Sequence, residues 1–353
     1  MPFVSHAQNA AQTTAPATAQ ATAQVTAPTA APSAAWTVAR TAPTARLRHV
    51  PQEFVHKRVG AEVLLTGWAP AGEDRVTVTA RWPRGHAFYA PVSGRHDPML
   101  LAETLRQSIP LISHALYDVP LGHHLIWQHF TFEVASGAMF LDVGPMNVEL
   151  RITCGDIARR GGRLAALTMD IEILRDGRRL GTAHTRFSSH APAIYRRLRG
   201  DRCTPPGDTG PLAPAVRPAL VGRVHAEDVV LAPAPMPVPA PIPVPAPHQW
   251  QLRVDQTHPI LFDHPVDHAP GMLLLEAARQ AAHAVQSPLG GAVFPIRFES
   301  AFFRYVEFDA PCLITAHVEP TAYPEGNLSV SVTALQEDNE AFSCRVTLAR
   351  ATP

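Results

Sequence analysis

The chain has 353 residues, 46 % of them hydrophobic, and its 30 Lys and Arg balance 30 Asp and Glu. That length favours two domains with real cores, and a formal net charge of zero without a basic stripe excludes an electrostatic footprint for nucleic acid or anionic lipid. No apolar run reaches membrane-span length, and the cysteines Cys154, Cys203, Cys312 and Cys344 lack Cys-x-x-Cys or Cys/His spacing. A reduced cytoplasmic chain with no metal or other cofactor is therefore expected. Lys57 is the only lysine, which reads as coding bias.

In chain order, residues 1–45 are mostly Ala, Thr, Gln and Pro, a composition that cannot offset its ordering entropy and is expected to be disordered. Ala61 to Gly67 reads as a strand, and Arg75 to Trp82 alternates with period two. A helix opens at Asp97-Pro98 and ends near Pro110, unless Leu111 to Leu116 continue it past a kink. Apolar segments at Leu125 to Glu133, Asn147 to Thr153, Leu164 to Leu174 and Arg178 to Phe187 read as strands, the last two joined by an Asp176-Gly177 hairpin. Ala191 to Arg199 suggests a short helix whose arginine run faces solvent.

Residues 204–218 form a Pro-rich linker. A second such stretch, 233–247, has Pro at nearly every second position, which prohibits a central strand and reads as an enlarged loop acting as a spacer. Trp250 to Val254 is the next strand. A His/Asp/Pro loop from His258 to Pro270 leads into a helix beginning near Met272. Strands follow at Arg297 to Phe308, Cys312 to Glu319, Leu328 to Leu335 and Phe342 to Leu348, with Asp338-Asn339 turning the last pair.

Both helices have inverted polarity. In Met272-Leu273-Leu274-Leu275-Glu276-Ala277-Ala278-Arg279-Gln280-Ala281-Ala282-His283, Leu and Ala fill almost every position, and Glu276, Arg279, Gln280 and His283 fall on one face. Met99-Leu100-Leu101-Ala102-Glu103-Thr104-Leu105-Arg106-Gln107 repeats the device. A carboxylate on such a helix is at least partly desolvated and needs a partner. Ahead of the helices, Arg58-Val59-Gly60-Ala61-Glu62 returns as Arg223-Val224-His225-Ala226-Glu227. The chain thus reads as two copies of one α+β module, residues 46–203 and 219–353. Asp97 and Asp267 are candidate helix caps. His123, His124, His264 and His268 lack metal-ligand spacing with a nearby acid, and His268 is the one singled out for mutation.

A long helix opened by Pro270-Gly271 with Glu276 five residues after the Gly resembles the signature of hotdog-fold acyl-carrier dehydratases. His56-Lys57-Arg58 before Ala61 to Leu65, Asp97 to Gln107, and His264 to Met272 with Glu276 to Gln280 resemble more closely the A-factor synthase family. The resemblance covers about residues 50–195 and 219–350. It implies a double hotdog, each module an antiparallel sheet wrapped around its central helix. It also implies an acyltransferase that joins a β-ketoacyl group from an acyl carrier protein to the hydroxyl of dihydroxyacetone phosphate, toward γ-butyrolactone, butenolide or furan signalling molecules.

Carried over residue by residue, the resemblance makes Glu276, Arg279 and Glu103 catalytic. Arg106, as the mate of Arg279, together with His268, Gly271 and Gln280, is expected to bind substrate. Half-buried Glu276 or Glu103 would serve as base near neutral pH, Arg279 would hold phosphate or polarise the carbonyl, and N–H groups near Gly271 and Met272 would receive the thioester oxygen. Glu276 and Arg279 are favoured because their module retains Pro-Gly. The dehydratase His position falls on Phe262, or on His264 after a two-residue gap, which argues against dehydration. A thioesterase or dehydratase, and a non-catalytic lactone or acyl sensor, are the alternatives. The modules pair within the chain, and further assembly is left open.

Overall fold

The computed structural model describes residues 46–204, 211–234, 248–286, 293–319 and 327–350. The tail expected to be disordered, residues 205–210 of the linker and residues 235–247 of the Pro-rich stretch lie outside them. The first half runs β1 (Leu65–Gly72), β2 (Arg75–Trp82), α1 (Pro98–Ala115), β3 (His124–Val134), β4 (Met146–Arg160), β5 (Arg163–Arg175), β6 (Arg178–His190) and α2 (Pro192–Arg199). The second runs β7 (Leu231–Pro233), β8 (His248–Leu252), α3 (Gly271–Gln286), β9 (Val293–Phe302), β10 (Cys312–Val318), β11 (Leu328–Gln336) and β12 (Asn339–Arg350). The linker residues ahead of β7 are pinned, Val216 N–H donating to the Leu231 carbonyl and Arg253 to that of Ala213.

The strands form one antiparallel sheet of twelve, ordered β1-β2-β4-β5-β6-β3-β9-β12-β11-β10-β8-β7. The halves join at β3 and β9, where Phe130 faces Ser300 and the rings of Phe132 and Phe298 stack 4.9 Å apart. On the concave side α1 packs against β1, β2 and β3, α3 against β9 to β12, and the two helices touch. Enclosure explains the inverted polarity: a helix surrounded by sheet must be apolar nearly all round. The same burial carries α1 through Pro110. Proline inside a helix costs about 3 kcal/mol, but Leu111 and Ile112 are both about 1 % exposed or less, and burying each contributes about 1.5–3 kcal/mol.

Three expectations need correction. Residues 61–64 are not strand: Gly60–Glu62 is a 3-10 turn. The Glu62 carbonyl and Leu64 N–H are taken by the Gln107 side chain, at 2.7 and 2.9 Å, so no neighbouring strand is needed to satisfy them. Asp97 caps α1, accepting from Met99 N–H at 2.8 Å, whereas Asp267 does not cap α3: His268, Ala269 and Pro270 separate it from the helix, and its carboxylate is held by Tyr195, Arg199 and His268. Finally, Arg196 and Arg197 on α2 face solvent, but Arg199 is buried and donates to Asp267 and Glu307 at 3.2 and 2.5 Å.

Candidate active site

Each central helix builds the same charged cluster. On α1, Arg106 donates to both Glu103 oxygens at 2.9 and 2.8 Å, Gln107 donates to Glu103 at 2.9 Å, and Lys57 Nζ lies 3.3 Å away. On α3, Arg279 grips both Glu276 oxygens at 2.8 and 2.7 Å, Gln280 donates at 2.5 Å, and Arg223 donates at 3.0 Å. Gln280 also holds the Asp228 carbonyl and Val230 N–H, as Gln107 holds Glu62 and Leu64. This moves the repeat register by one residue from the sequence alignment: Lys57, not Arg58, is the counterpart of Arg223, and Glu62 is that of Asp228.

Neither glutamate is half-buried. Burial alone would raise each carboxyl, but for Glu103 the charges of Arg106 and Lys57, and for Glu276 those of Arg223 and Arg279, outweigh it and hold both at about 2. They are fixed anions, poor bases at neutral pH. His56 is pushed down to about 3 by burial, then by His114 and Arg106. Both effects make acid destabilising. From pH 6.5 downward the unfolded chain takes a proton on His56 that the folded chain refuses until about 3, and below about 4.5 it does the same at the two glutamates until about 2. The urea midpoint should therefore be highest above pH 6.5 and fall in two stages toward pH 2; a midpoint flat from pH 7 to 3 would contradict these assignments.

The halves differ in what surrounds the cluster. A cavity of about 860 Å³ opens beside Glu103 and Arg106, and its other wall is the loop and first turn of α3, including Asp263, His264, Asp267, His268, Gly271 and Met272. Leu125, Ile126, Leu274 and Phe302 supply apolar lining. Glu276, Arg279 and Gln280 do not line it. Glu276 has no exposed surface, and its half is filled by Phe88, whose ring lies 4.2 Å under the Arg223 guanidinium and whose carbonyl accepts from Arg223. The cavity thus combines the glutamate of α1 with the Pro-Gly start of α3. Gly271 is required there: a Cβ would sit 2.7 Å from the Trp127 ring of β3.

Two Asp-His pairs face this space, neither anticipated as a pair. His264 Nδ1 lies 2.5 Å from Asp263, and Asp263 also accepts from Arg58 N–H at 2.9 Å. His268 Nδ1 lies 2.6 Å from Asp267, both of whose oxygens accept from the Tyr195 hydroxyl at 2.8 Å. Burial opposes the charge on Asp267, but His268, Tyr195 and Arg199 prevail and hold it well below the usual carboxylate range. Burial and Asp267 keep the Tyr195 phenol protonated. An ionised Asp267 fixes the hydrogen of His268 on Nδ1 and leaves Nε2 as an acceptor. At the start of α3, Leu273 and Leu274 N–H return to the Pro270 carbonyl, while the N–H groups of Gly271 and Met272 have no acceptor within the helix. Phe262, the ungapped dehydratase position, pairs with Phe308 instead. Among the described residues no His, Cys, Asp and Glu cluster could hold a metal ion, and no helix is long and apolar enough to cross a membrane.

A family model described as the A-factor biosynthesis hotdog domain matches twice, over residues 38–190 and 207–350. The chain belongs to this family. Its two matches correspond to the two sheet halves, so the A-factor biosynthesis hotdog fold occurs here in tandem. A relative from Streptomyces virginiae is 42 % identical over 84 % of this chain and 96 % of its own. Relatives from Streptomyces coelicolor and Streptomyces griseus are 40 % and 38 % identical, covering 83 % and 82 % of this chain and 89 % and 92 % of theirs. All three are named 2-oxo-3-(phosphooxy)propyl 3-oxoalkanoate synthase. The signal for the Asp-His pairs was present in this family member's own sequence, as Asp263-His264-Pro265-Val266-Asp267-His268.

Proposed function

We propose that the chain is an acyltransferase that moves a β-ketoacyl group from an acyl carrier protein thioester to the hydroxyl of dihydroxyacetone phosphate. The observation that carries this reading is the cavity's combination of an oriented His-Asp pair and free helix N–H groups with an apolar wall. The synthase relatives name the product class. His268 Nε2 takes the proton of the attacking hydroxyl, whose oxygen bonds to the thioester carbonyl carbon. The developing oxyanion is received by the N–H groups of Gly271 and Met272. The C–S bond breaks, and the departing sulfur takes the proton back from His268, so thioester and alcohol become ester and thiol.

Arg304 lines the cavity and has no ion-pair partner among the described residues, which suits it to the acceptor's phosphate. Glu103 anchors Arg106 and Lys57 as a fixed anion. The apolar wall holds the acyl chain and keeps water from the thioester. Residues 46–203 and 219–353 act as one unit in this reading, because the site needs both.

The test is incubation of the protein with a β-ketoacyl thioester, with and without dihydroxyacetone phosphate, followed by mass spectrometry. The expected product is the phosphorylated ester, formed only with the acceptor. Free acid or enoyl thioester in both reactions would overturn the proposal in favour of a thioesterase or dehydratase.

A further inference from the structure

Of the 30 basic Lys and Arg residues only one is lysine, and it lies at the cavity. Lys57 is also where the duplicated clusters differ in chemistry. In the closed half Arg223 turns Nε toward Glu276 and Nη1 toward the Phe88 carbonyl, and stacks on Phe88. In the open half the Lys57 ammonium lies 3.3 Å from Glu103 and 3.8 Å from Asp263, with its side chain 5 % exposed. An ammonium has three N–H donors, and no third partner is present among the described residues. Coding bias therefore does not account for this position: where arginine serves everywhere else, a compact point charge sits in the open cluster.

The formal charges of Glu103, Asp263, Lys57 and Arg106 cancel. A phosphate dianion brought to Lys57 would meet two carboxylates, whereas a neutral carbonyl oxygen would meet only a directed donor. The thioester carbonyl already has the N–H groups at the start of α3. We propose that Lys57 donates to the 3-oxo oxygen of the acyl substrate and is the residue that selects 3-oxoacyl over saturated acyl thioesters. This rests on the acyltransfer reading above. The bulk of a guanidinium at position 57, as in the closed half, takes the space that oxygen occupies.

The experiment compares kcat/KM for a 3-oxoacyl thioester and the saturated thioester of equal length, in the wild type, Lys57→Arg and Lys57→Met. A buried site built for a substrate polar group rejects the analogue lacking it by about 10⁴-fold. The wild type should show that preference, and both variants should reduce it to within about tenfold, chiefly by losing activity on the 3-oxo substrate. Arg223 already holds a guanidinium against the same Glu-Gln frame, so Lys57→Arg is the variant expected to fold. Independently of any variant, the ¹³C resonance of the 3-oxo carbon of a bound, unreactive 3-oxoacyl amide should move downfield in the wild type. A preference unchanged in Lys57→Arg, equal loss on both thioesters, or an unshifted resonance would overturn the proposal. No ester from either thioester in the wild type would instead sink the acyltransfer reading itself.

Discussion

Replacing His268 with Ala is expected to lower kcat/KM for acyl transfer by about 10²–10⁴-fold, the span a positioned general base contributes, while the melting curve stays nearly unchanged. The second half of that expectation comes from geometry. The His268 side chain is 29 % exposed, and its loss leaves Asp267 bonded to Tyr195 and Arg199. Asp267→Asn should approach the same kinetic loss by a different route, because an amide no longer fixes the Nδ1–H tautomer. Steady-state kinetics beside thermal melts separate the cases. Full activity in His268→Ala would remove the base from the account.

The opposite signature is expected for Glu276→Gln. Its carboxylate is the direct ion-pair partner of two buried guanidiniums, Arg223 and Arg279, with side chains only 5 % and 7 % exposed. Removing one member of such a cluster leaves uncompensated buried charge and costs about 3–5 kcal/mol, on the order of 10 °C in melting temperature. Because Glu276 does not touch the cavity, kcat/KM measured well below the melt should change by less than about threefold, small beside the loss in His268→Ala. An unaltered melting temperature with abolished turnover would reverse the roles assigned to the two halves.

Much of the architecture was legible because enclosure leaves a strong mark: only a helix wrapped by sheet combines an apolar surface with one buried Glu-Arg-Gln face. β2 and the two central helices were readable from periodicity and from the Pro-containing starts. The segment before β1 was misread because Gln107, more than forty residues away, satisfies its backbone. β9 is displaced toward the N-terminus of its expected range, ending at Phe302, so that Phe303 to Phe308 form the loop under the cavity.

The site was legible as residue types but not as a place. Duplication left open which module keeps the working pocket, and Pro-Gly pointed to the module holding Glu276. In three dimensions the Pro270-Gly271 start of α3 and Glu103 of α1 line the same cavity, so one copy's Pro-Gly lies beside the other's glutamate. Arg279 and Gln280 consequently lie in the filled half, and Arg106 takes the place at the cavity. Tyr195 and Arg199 were missed because their contacts with Asp267 span about seventy residues, and no local pattern announces such a pairing.

One working cavity shared by two modules is the claim on which the rest depends, and a calorimetric titration with an unreactive 3-oxoacyl thioester analogue tests it most directly. One ligand per chain is expected, with binding abolished by Ile109→Trp, which fills the cavity beside Glu103, and retained in Glu276→Gln. Two ligands per chain, or binding that survives Ile109→Trp in a folded protein, would contradict it.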